Sequence, residues 1–143
     1  MPLYELAEKN PDKQFVSTFI PVDKKPLDNV KVTGKLSFDK MQKLIMGASI
    51  YVSTAKETFS IGVLEALACG IPVLAYNWGN VPEIVTHKQN GYLVNPNADM
   101  SDGLEWVLQH RSQLTENCKQ TAMKYNWLNV AQRIKEVCEY VTN

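Results

Sequence analysis

Short apolar segments alternate with helical patterns along most of this 143-residue chain. The segments are rich in β-branched and aromatic residues and predict strands at "KQFVSTFI", "VKVTG", "SIYVSTA", "IPVLAYN" and "NGYLVN". The stretch "PVDKKPLDN" after the first of them predicts a loop with turns, because it contains two prolines. The other stretches between strands repeat apolar residues at helical spacing, and each connection is long enough to cross between parallel strands. Because the strands are nearly continuous apolar runs, both faces of the sheet should be covered. The pattern predicts an α/β fold with a doubly wound parallel sheet.

The predicted helices cover residues 3–9, 37–47 and 59–69, with a helical turn at "VPEIV". After Met100 the pattern is helical throughout and predicts three C-terminal helices at "MSDGLEWVLQH", "SQLTENCKQTAMKY" and "WLNVAQRIKEVCEYVT". No repeat, low-complexity tract or linker interrupts these elements. We therefore expect residues 1–143 to form one domain.

The charge balance excludes some classes of partner. Lys+Arg and Asp+Glu number 15 each, so the formal net charge is zero. A chain that coats nucleic acid or an anionic membrane would carry excess positive charge. We expect no nucleic-acid partner and at most peripheral association with membranes, through a full-length enzyme.

Three cysteines, Cys69, Cys118 and Cys138, are widely spaced and form no zinc-binding motif. We expect them to be buried, reduced thiols, which suits a cytoplasmic protein. The N-terminus lacks the pattern of a signal peptide, and no apolar run approaches the roughly 20 residues of a membrane helix. A cytoplasmic location is the expectation, with no metal site and no cofactor.

The stretch "ETFSIGVLEALACGIPV" follows a predicted strand and contains the most apolar predicted helix. Folds of this kind bind ligands where a strand gives way to a helix. The first backbone N–H groups of the helix, around Ser60 to Gly62, have no helical acceptors, and with the helix dipole they favour an anion. Gly62 is expected to leave room for a ligand.

Two carboxylates accompany this helix start. At 1.5 Å per residue, Glu65 should lie roughly 5–8 Å along the helix, a distance that suits a diphosphate at the tip and a ribose beside Glu65. A carboxylate accepts hydrogen bonds from two hydroxyl groups well. Glu57 precedes the helix, where a sugar would lie. Alternatively, Glu57 has only a structural role and interacts favourably with the dipole at the helix N-terminus. Glu65 could likewise pair with a buried Lys or Arg, or lie at the solvent-exposed edge of the helix.

Together these residues have the form E-x7-E followed by A-x-A-C-G-I-P-V. The segment resembles the nucleotide-sugar site of retaining glycosyltransferases with the GT-B fold, two facing Rossmann-like domains. It is most similar to the large group that includes sucrose-phosphate synthases and many bacterial mannosyl- and glucosyltransferases. The resemblance continues through "NVKVTGKLSFDKMQKLIMGASIYVSTAKE" and "NWGNVPEIVTHKQNGYLVNPNA" and spans nearly the whole chain.

The resemblance implies a role for each matching residue. Glu65 would hold the ribose hydroxyls, and Glu57, the implied catalytic residue, would contact the donor sugar without acting as acid or base. The backbone N–H groups of Phe59, Ser60 and Ile61 would face the sugar and diphosphate. A second group, Gly34 and Lys35, would lie near the nucleobase. The donor would be a UDP-, GDP- or ADP-sugar, used in carbohydrate biosynthesis without a metal.

The chain also departs from the family pattern. Thr58 and Ser60 stand where many members have glycine in E-G-F-G, and Asn80 replaces the second glycine of G-G-x-P-E. The usual first strand and its G-R-x-x-x-x-K-G loop are expected to be missing, together with the acceptor domain. The chain alone would then be inactive, and a partner chain or a longer protein would supply the rest.

Two functions of different classes remain open. The first is the donor-binding part of a glycosyltransferase that moves a sugar to an acceptor hydroxyl. The alternative is a non-catalytic nucleotide- or sugar-nucleotide-binding module that docks another domain. A dinucleotide-dependent oxidoreductase is disfavoured because no G-x-G-x-x-G follows a strand. A glycoside hydrolase is disfavoured because Glu57 and Glu65 are separated by a helix start and do not form a facing pair.

Overall fold

The computed structural model describes residues 2–19 and 25–142. From the strand Val30–Val32 onward, strands and helices alternate up to the last strand, and two helices follow it. The elements in chain order are α1 (Pro2–Lys9), β1 (Phe15–Ser17), β2 (Val30–Val32), α2 (Phe38–Met46), β3 (Tyr51–Ser53), α3 (Ile61–Ala68), β4 (Val73–Tyr76), α4 (Val81–Ile84), β5 (Gly91–Val94), α5 (Ser101–Met123) and α6 (Trp127–Thr142). The end of the first predicted strand and part of the loop after it lie at residues 20–24, outside the described residues.

Every strand pair in the described part of the chain is parallel. β1 pairs with β2, and β4 lies between β3 and β5. The predicted α/β class with parallel strands is confirmed. The prediction of one continuous sheet is not met by the described hydrogen bonds, which form a two-stranded and a three-stranded sheet. A groove lined by residues of β1 and β3, with a volume of about 630 Å³, lies between the two sheets.

The core lies on both faces of β4, because successive side chains of a strand point to opposite faces. Val73 and Ala75 belong to a cluster with the buried residues of α3 and the later part of α5. Leu74 and Tyr76 belong to a second cluster with α1 and the start of α5. All four β4 residues are buried. This strand therefore fixes the positions of the helices on both sides.

The region after Met100 differs from its prediction. The two helices expected before residue 126 form one continuous helix of 23 residues. Its buried residues Val107, Leu114 and Cys118 keep the spacing of one helix face, so the apolar contact with the core continues across the expected break. His110 stacks on Trp106 one turn earlier, with ring centroids 4.2 Å apart. The separate last helix is confirmed as α6, and the side chain of Asn126 accepts a hydrogen bond from the Asn129 N–H at its start.

The cysteines are not equivalent. Cys118 is buried, and burial raises the pKa of its thiol to about 12. Cys69 is partly buried, whereas Cys138 is exposed on α6, so the expectation of three buried thiols was wrong for Cys138. Cys138 is exposed because α6 presents most of its residues to solvent, including Trp127, which is 86% exposed.

Among residues 2–19 and 25–142, no helix is both long enough and apolar enough to span a bilayer.

Candidate functional site

The N-terminus of α3 lies just beyond the carboxyl end of β3. Val63, Ala66 and Leu67 of this helix are buried, which holds α3 against the sheet. The loop 54–60 connects the two elements and is exposed over residues 55–59. A parallel sheet directs the carboxyl ends of its strands to one edge, which is where ligands bind in such folds.

The first turn of α3 has backbone donors without helical acceptors. The Leu64 N–H donates to the Ser60 carbonyl at 3.3 Å, so the N–H groups of Gly62 and Val63 precede the first helical bond. The Ile61 N–H makes a local turn contact with the Phe59 carbonyl at 3.3 Å. The predicted helix start with unpaired N–H donors is thus present, with the donors at residues 62 and 63, and its binding of an anion stays a prediction.

The two carboxylates lie on either side of this turn. Glu57 is exposed in the loop and lines the groove between the sheets. Glu65 is partly buried and lines a small cavity of about 130 Å³ with Phe38 and Met41 of α2. Neither carboxylate takes part in an ion pair among the described residues. These contacts therefore give no support to the alternative that Glu65 is paired with Lys or Arg.

The loop after β2 approaches the same region. Gly34 and Lys35 are both exposed and precede α2. Phe38, in the first turn of α2, lines the small cavity with Glu65. The structure therefore brings the predicted nucleobase loop toward the predicted ribose residue through α2.

The loop that carries Glu57 is held by the loop between β4 and α4. The Trp78 indole N–H donates to the Ala55 carbonyl at 3.0 Å, and the Asn80 N–H donates to the Glu57 carbonyl at 3.2 Å. Gly79 has φ +58°, and a Cβ at this position would overlap the Glu57 carbonyl. Trp78 thus holds the loop in place through its indole nitrogen.

Two departures from the family pattern contact each other. The Ser60 hydroxyl donates to the side-chain oxygen of Asn80 at 2.9 Å. Ser60 is only 1% exposed, so its backbone and its side chain are both buried. Its hydroxyl makes no capping bond to α3. Ser60 and Asn80 therefore form a structural pair at the start of α3.

Sequence reasoning missed Tyr51. This residue begins β3, and its side chain reaches the first turn of α3, where a Cβ at residue 62 would overlap the tyrosine hydroxyl. The space expected beside Gly62 is therefore occupied by Tyr51, which corrects the prediction that it is open to a ligand. Burial, followed by the charges of Glu57 and Glu65, raises the pKa of Tyr51. A tyrosine in an apolar strand gives no signal in the sequence that its hydroxyl lies beside two acids.

The described part of the chain contains no candidate metal site. No group of three or more His, Cys, Asp or Glu side chains there could hold a metal ion. The chemical groups that the site offers are backbone N–H donors, carboxylate acceptors and one phenol. These groups suit hydroxyl and phosphate oxygens.

The structure thus combines a parallel α/β fold with a helix start that carries unpaired N–H donors and a carboxylate on either side, at the edge of the sheet where such folds bind ligands. The family model for glycosyl transferases group 1 matches residues 21–125. This chain belongs to the glycosyl transferases group 1 family.

Relatives and solved structures agree with this family. An uncharacterized glycosyltransferase of Methanocaldococcus jannaschii is 30% identical over 85% of this chain and 36% of its own length. The gpi3 subunit of the Schizosaccharomyces pombe phosphatidylinositol N-acetylglucosaminyltransferase is 24% identical over 80% of this chain and 26% of its own length. The chain thus spans about a third of the relatives it matches.

Solved structures show the same fold. A sucrose-phosphate synthase from Thermosynechococcus elongatus matches 80% of this chain and 31% of its own, with a TM-score of 0.69 and 22% identity. Anabaena HepE in complex with UDP matches 79% of this chain and 33% of its own, with a TM-score of 0.66 and 25% identity.

Proposed function

We propose that this chain is the donor-binding part of a retaining glycosyltransferase, which moves a sugar from a nucleotide-sugar to an acceptor hydroxyl. One observation carries the proposal. Two carboxylates, Glu57 and Glu65, flank a helix start whose N–H groups at Gly62 and Val63 have no helical acceptors. This arrangement offers donors to a diphosphate and acceptors to the hydroxyls on either side of it.

Each residue has a separate role in the proposed site. Glu65 accepts hydrogen bonds from the ribose, and Glu57 positions the hydroxyls of the donor sugar. The backbone at Phe59, Ser60 and Ile61 faces the sugar and diphosphate. Electrostatic stabilisation of the leaving diphosphate then supplies much of the catalysis.

The nucleobase contacts come from the loop that follows β2. Gly34 and Lys35 lie in this exposed loop ahead of α2, and Phe38 in the first turn of α2 lines the Glu65 cavity. Anabaena HepE was solved with UDP, which makes a UDP-sugar the first donor to test, followed by GDP- and ADP-sugars. We propose that the site uses no cofactor or metal and that the full enzyme acts in the cytoplasm.

We further propose that the groove between β1 and β3 accepts an additional parallel strand. On the β2 side, the Phe15 N–H donates to the Asn29 carbonyl at 2.8 Å. On the β4 side, the Tyr51 N–H donates to the Pro72 carbonyl at 3.0 Å. Alternate residues of a parallel strand direct their backbone groups to opposite sides, so Val16 and Val52 direct theirs into the groove. A strand here would join the two sheets into one, with the expected doubly wound order.

The rest of the enzyme is proposed to pack on α6. This helix exposes Trp127, Leu128, Ile134 and Val137, with exposed fractions between 59% and 86%. Large exposed apolar surfaces usually mark interaction sites. Because the chain spans only about a third of its relatives, the acceptor domain, in the same protein or in a partner chain, is the proposed occupant.

A second candidate is a nucleotide-binding module without its own turnover. The specific observation in its favour is that the described site offers binding groups, whereas the matched relatives are about three times longer. Transfer of labelled sugar by the longer protein, and not by this chain, would favour the enzyme. Binding without transfer in either would favour the module.

The direct test is nucleotide binding measured by ligand-observed NMR with UDP, GDP and ADP at millimolar concentration. We expect one nucleotide to bind and Glu65→Gln to weaken it about tenfold or more, because a hydrogen bond to a charged group is worth about 1.5–3 kcal/mol. Glu116→Gln, an exposed carboxylate on α5, is the matched control and should bind like the wild type. Unchanged binding by Glu65→Gln would contradict the ribose assignment.

A further inference from the structure

The hydroxyl of Tyr51 lies at the first turn of α3, although Tyr51 itself begins the preceding strand. Its side chain runs toward the carboxyl end of β3, and its ring carbon Cζ would lie 3.1 Å from a Cβ built on residue 62. The hydroxyl itself would overlap that Cβ. Gly62 is therefore the residue that permits the hydroxyl to approach the helix so closely.

This phenol has no hydrogen-bond partner within residues 2–19 and 25–142. Tyr51 also lines the groove that contains Glu57. A neutral phenol donates well to an anionic oxygen. Beside it, the N–H groups of Gly62 and Val63 precede the first helical bond of α3.

From this geometry we infer that the Tyr51 hydroxyl donates a hydrogen bond to a phosphate oxygen of the bound nucleoside diphosphate. The inference rests on the proposed function and adds a positioning and specificity residue to it. Two carboxylates flank the site and repel an anion, so a phosphate there needs donors. The α3 N–H groups and the phenol supply such donors.

The environment keeps the phenol in its donating form. Burial raises the pKa of Tyr51, and the negative charges of Glu57 and Glu65 raise it further. The ordinary pKa of tyrosine is already about 10, so the hydroxyl is protonated at neutral pH. A threonine or serine at this position would be too short to reach the first turn from the start of β3.

The test compares Tyr51→Phe, Gly62→Ala and the double variant for binding of UDP and of uridine, by ligand-observed NMR. Tyr51→Phe should weaken UDP binding about tenfold, which matches one charge-assisted hydrogen bond, and should leave uridine binding unchanged. Gly62→Ala should also weaken UDP binding, because the new methyl displaces the hydroxyl. In the double variant the two effects should not add.

Tyr140→Phe on α6 is the matched control, since Tyr140 is 86% exposed and removal of its hydroxyl should change nothing. If the wild type binds no nucleotide, the proposed function fails and the role of Tyr51 falls with it. If the wild type binds and Glu65→Gln weakens it, but Tyr51→Phe binds UDP normally, only the Tyr51 inference is wrong. Equal weakening of UDP and uridine would also overturn the phosphate contact. Should Tyr51→Phe fail to fold, Gly62→Ala decides by the same criteria.

Discussion

At the scale of single residues, side-chain hydrogen bonds between loops hold the surroundings of the α3 start. Ser60 and Asn80 each replace a glycine of the family pattern, and their side chains hydrogen-bond to one another. The sequence showed each replacement but not the pairing, because the two residues are 20 positions apart. By contrast, the spacing of Glu57 and Glu65 around a helix start followed directly from the sequence, since both lie within two turns of one element.

Gly79 gives a prediction at this scale. Gly79→Ala should lower the free energy of unfolding by about 2 kcal/mol, because a left-handed φ costs a non-glycine residue about 1–2 kcal/mol and the Cβ also meets the Glu57 carbonyl. Urea denaturation of the wild type and the variant would measure this difference in the free energy of unfolding. Gly47→Ala is the control: its φ is −84° and its Cβ would make only ordinary contacts, so little change is expected. A Gly79→Ala variant as stable as Gly47→Ala would show that the loop yields easily.

At the scale of elements, the type of each described helix and strand was predictable, while lengths and ends were not. The strands are shorter than the apolar runs that predict them, since only part of each run pairs with a neighbour. The division of α5 was wrong because polar residues at "QHRSQL" resemble a helix end. Only the continued packing of Leu114 and Cys118 against the core shows that the helix goes on.

The junction of α1 and α5 gives a pH-dependent prediction. Lys9 donates to Asp99 at 2.7 Å, and the Ser101 N–H donates to Asp99 at 2.9 Å at the start of α5. The Lys9 hydrogen bond, followed by the Ser101 N–H, lowers the pKa of Asp99 from 3.8 to about 2. A lowered folded-state pKa means that this contribution is present above pH 4 and is lost as the pH falls toward 2.

Thermal unfolding of Asp99→Asn should therefore show a lower Tm than the wild type at pH 7, with the difference shrinking between about pH 4 and 2. Both side chains are about half exposed, so the difference should be small and should decrease with salt. Asp28→Asn, an exposed carboxylate in the turn before β2, serves as the control. A Tm difference that stays constant with pH would exclude the ionic origin.

At the scale of the whole molecule, the parallel α/β class was predictable because alternating strands and helices allow few arrangements. The division into two sheets was not, because the spacing between β1 and β3 depends on what lies between them. Local patterns along the chain give no information on the distance between two edge strands. The exposure of the apolar side chains of α6 was also not predictable, since an amphipathic pattern does not say which molecule covers its apolar face.

The strand proposal can be tested by fusing a Val/Ile strand of about six residues and a flexible linker ahead of residue 1. We expect slower amide hydrogen exchange at Val16 and Val52 and a higher Tm, because the strand pairs with both edges of the groove. The control extension carries proline at every second position and cannot donate the ladder hydrogen bonds. Equal exchange in the two fusions would rule out a strand site in the groove.

The contact between the loop at residues 78–80 and the loop that carries Glu57 offers a route for protein engineering. Trp78 holds the Ala55 carbonyl through its indole N–H, and Asn80 holds the Glu57 carbonyl through its backbone N–H. A library restricted to these positions would shift the carboxylate by small steps while leaving every proposed ligand-contacting side chain unchanged. Altered sugar selectivity in such a library would come from geometry and not from new contacts.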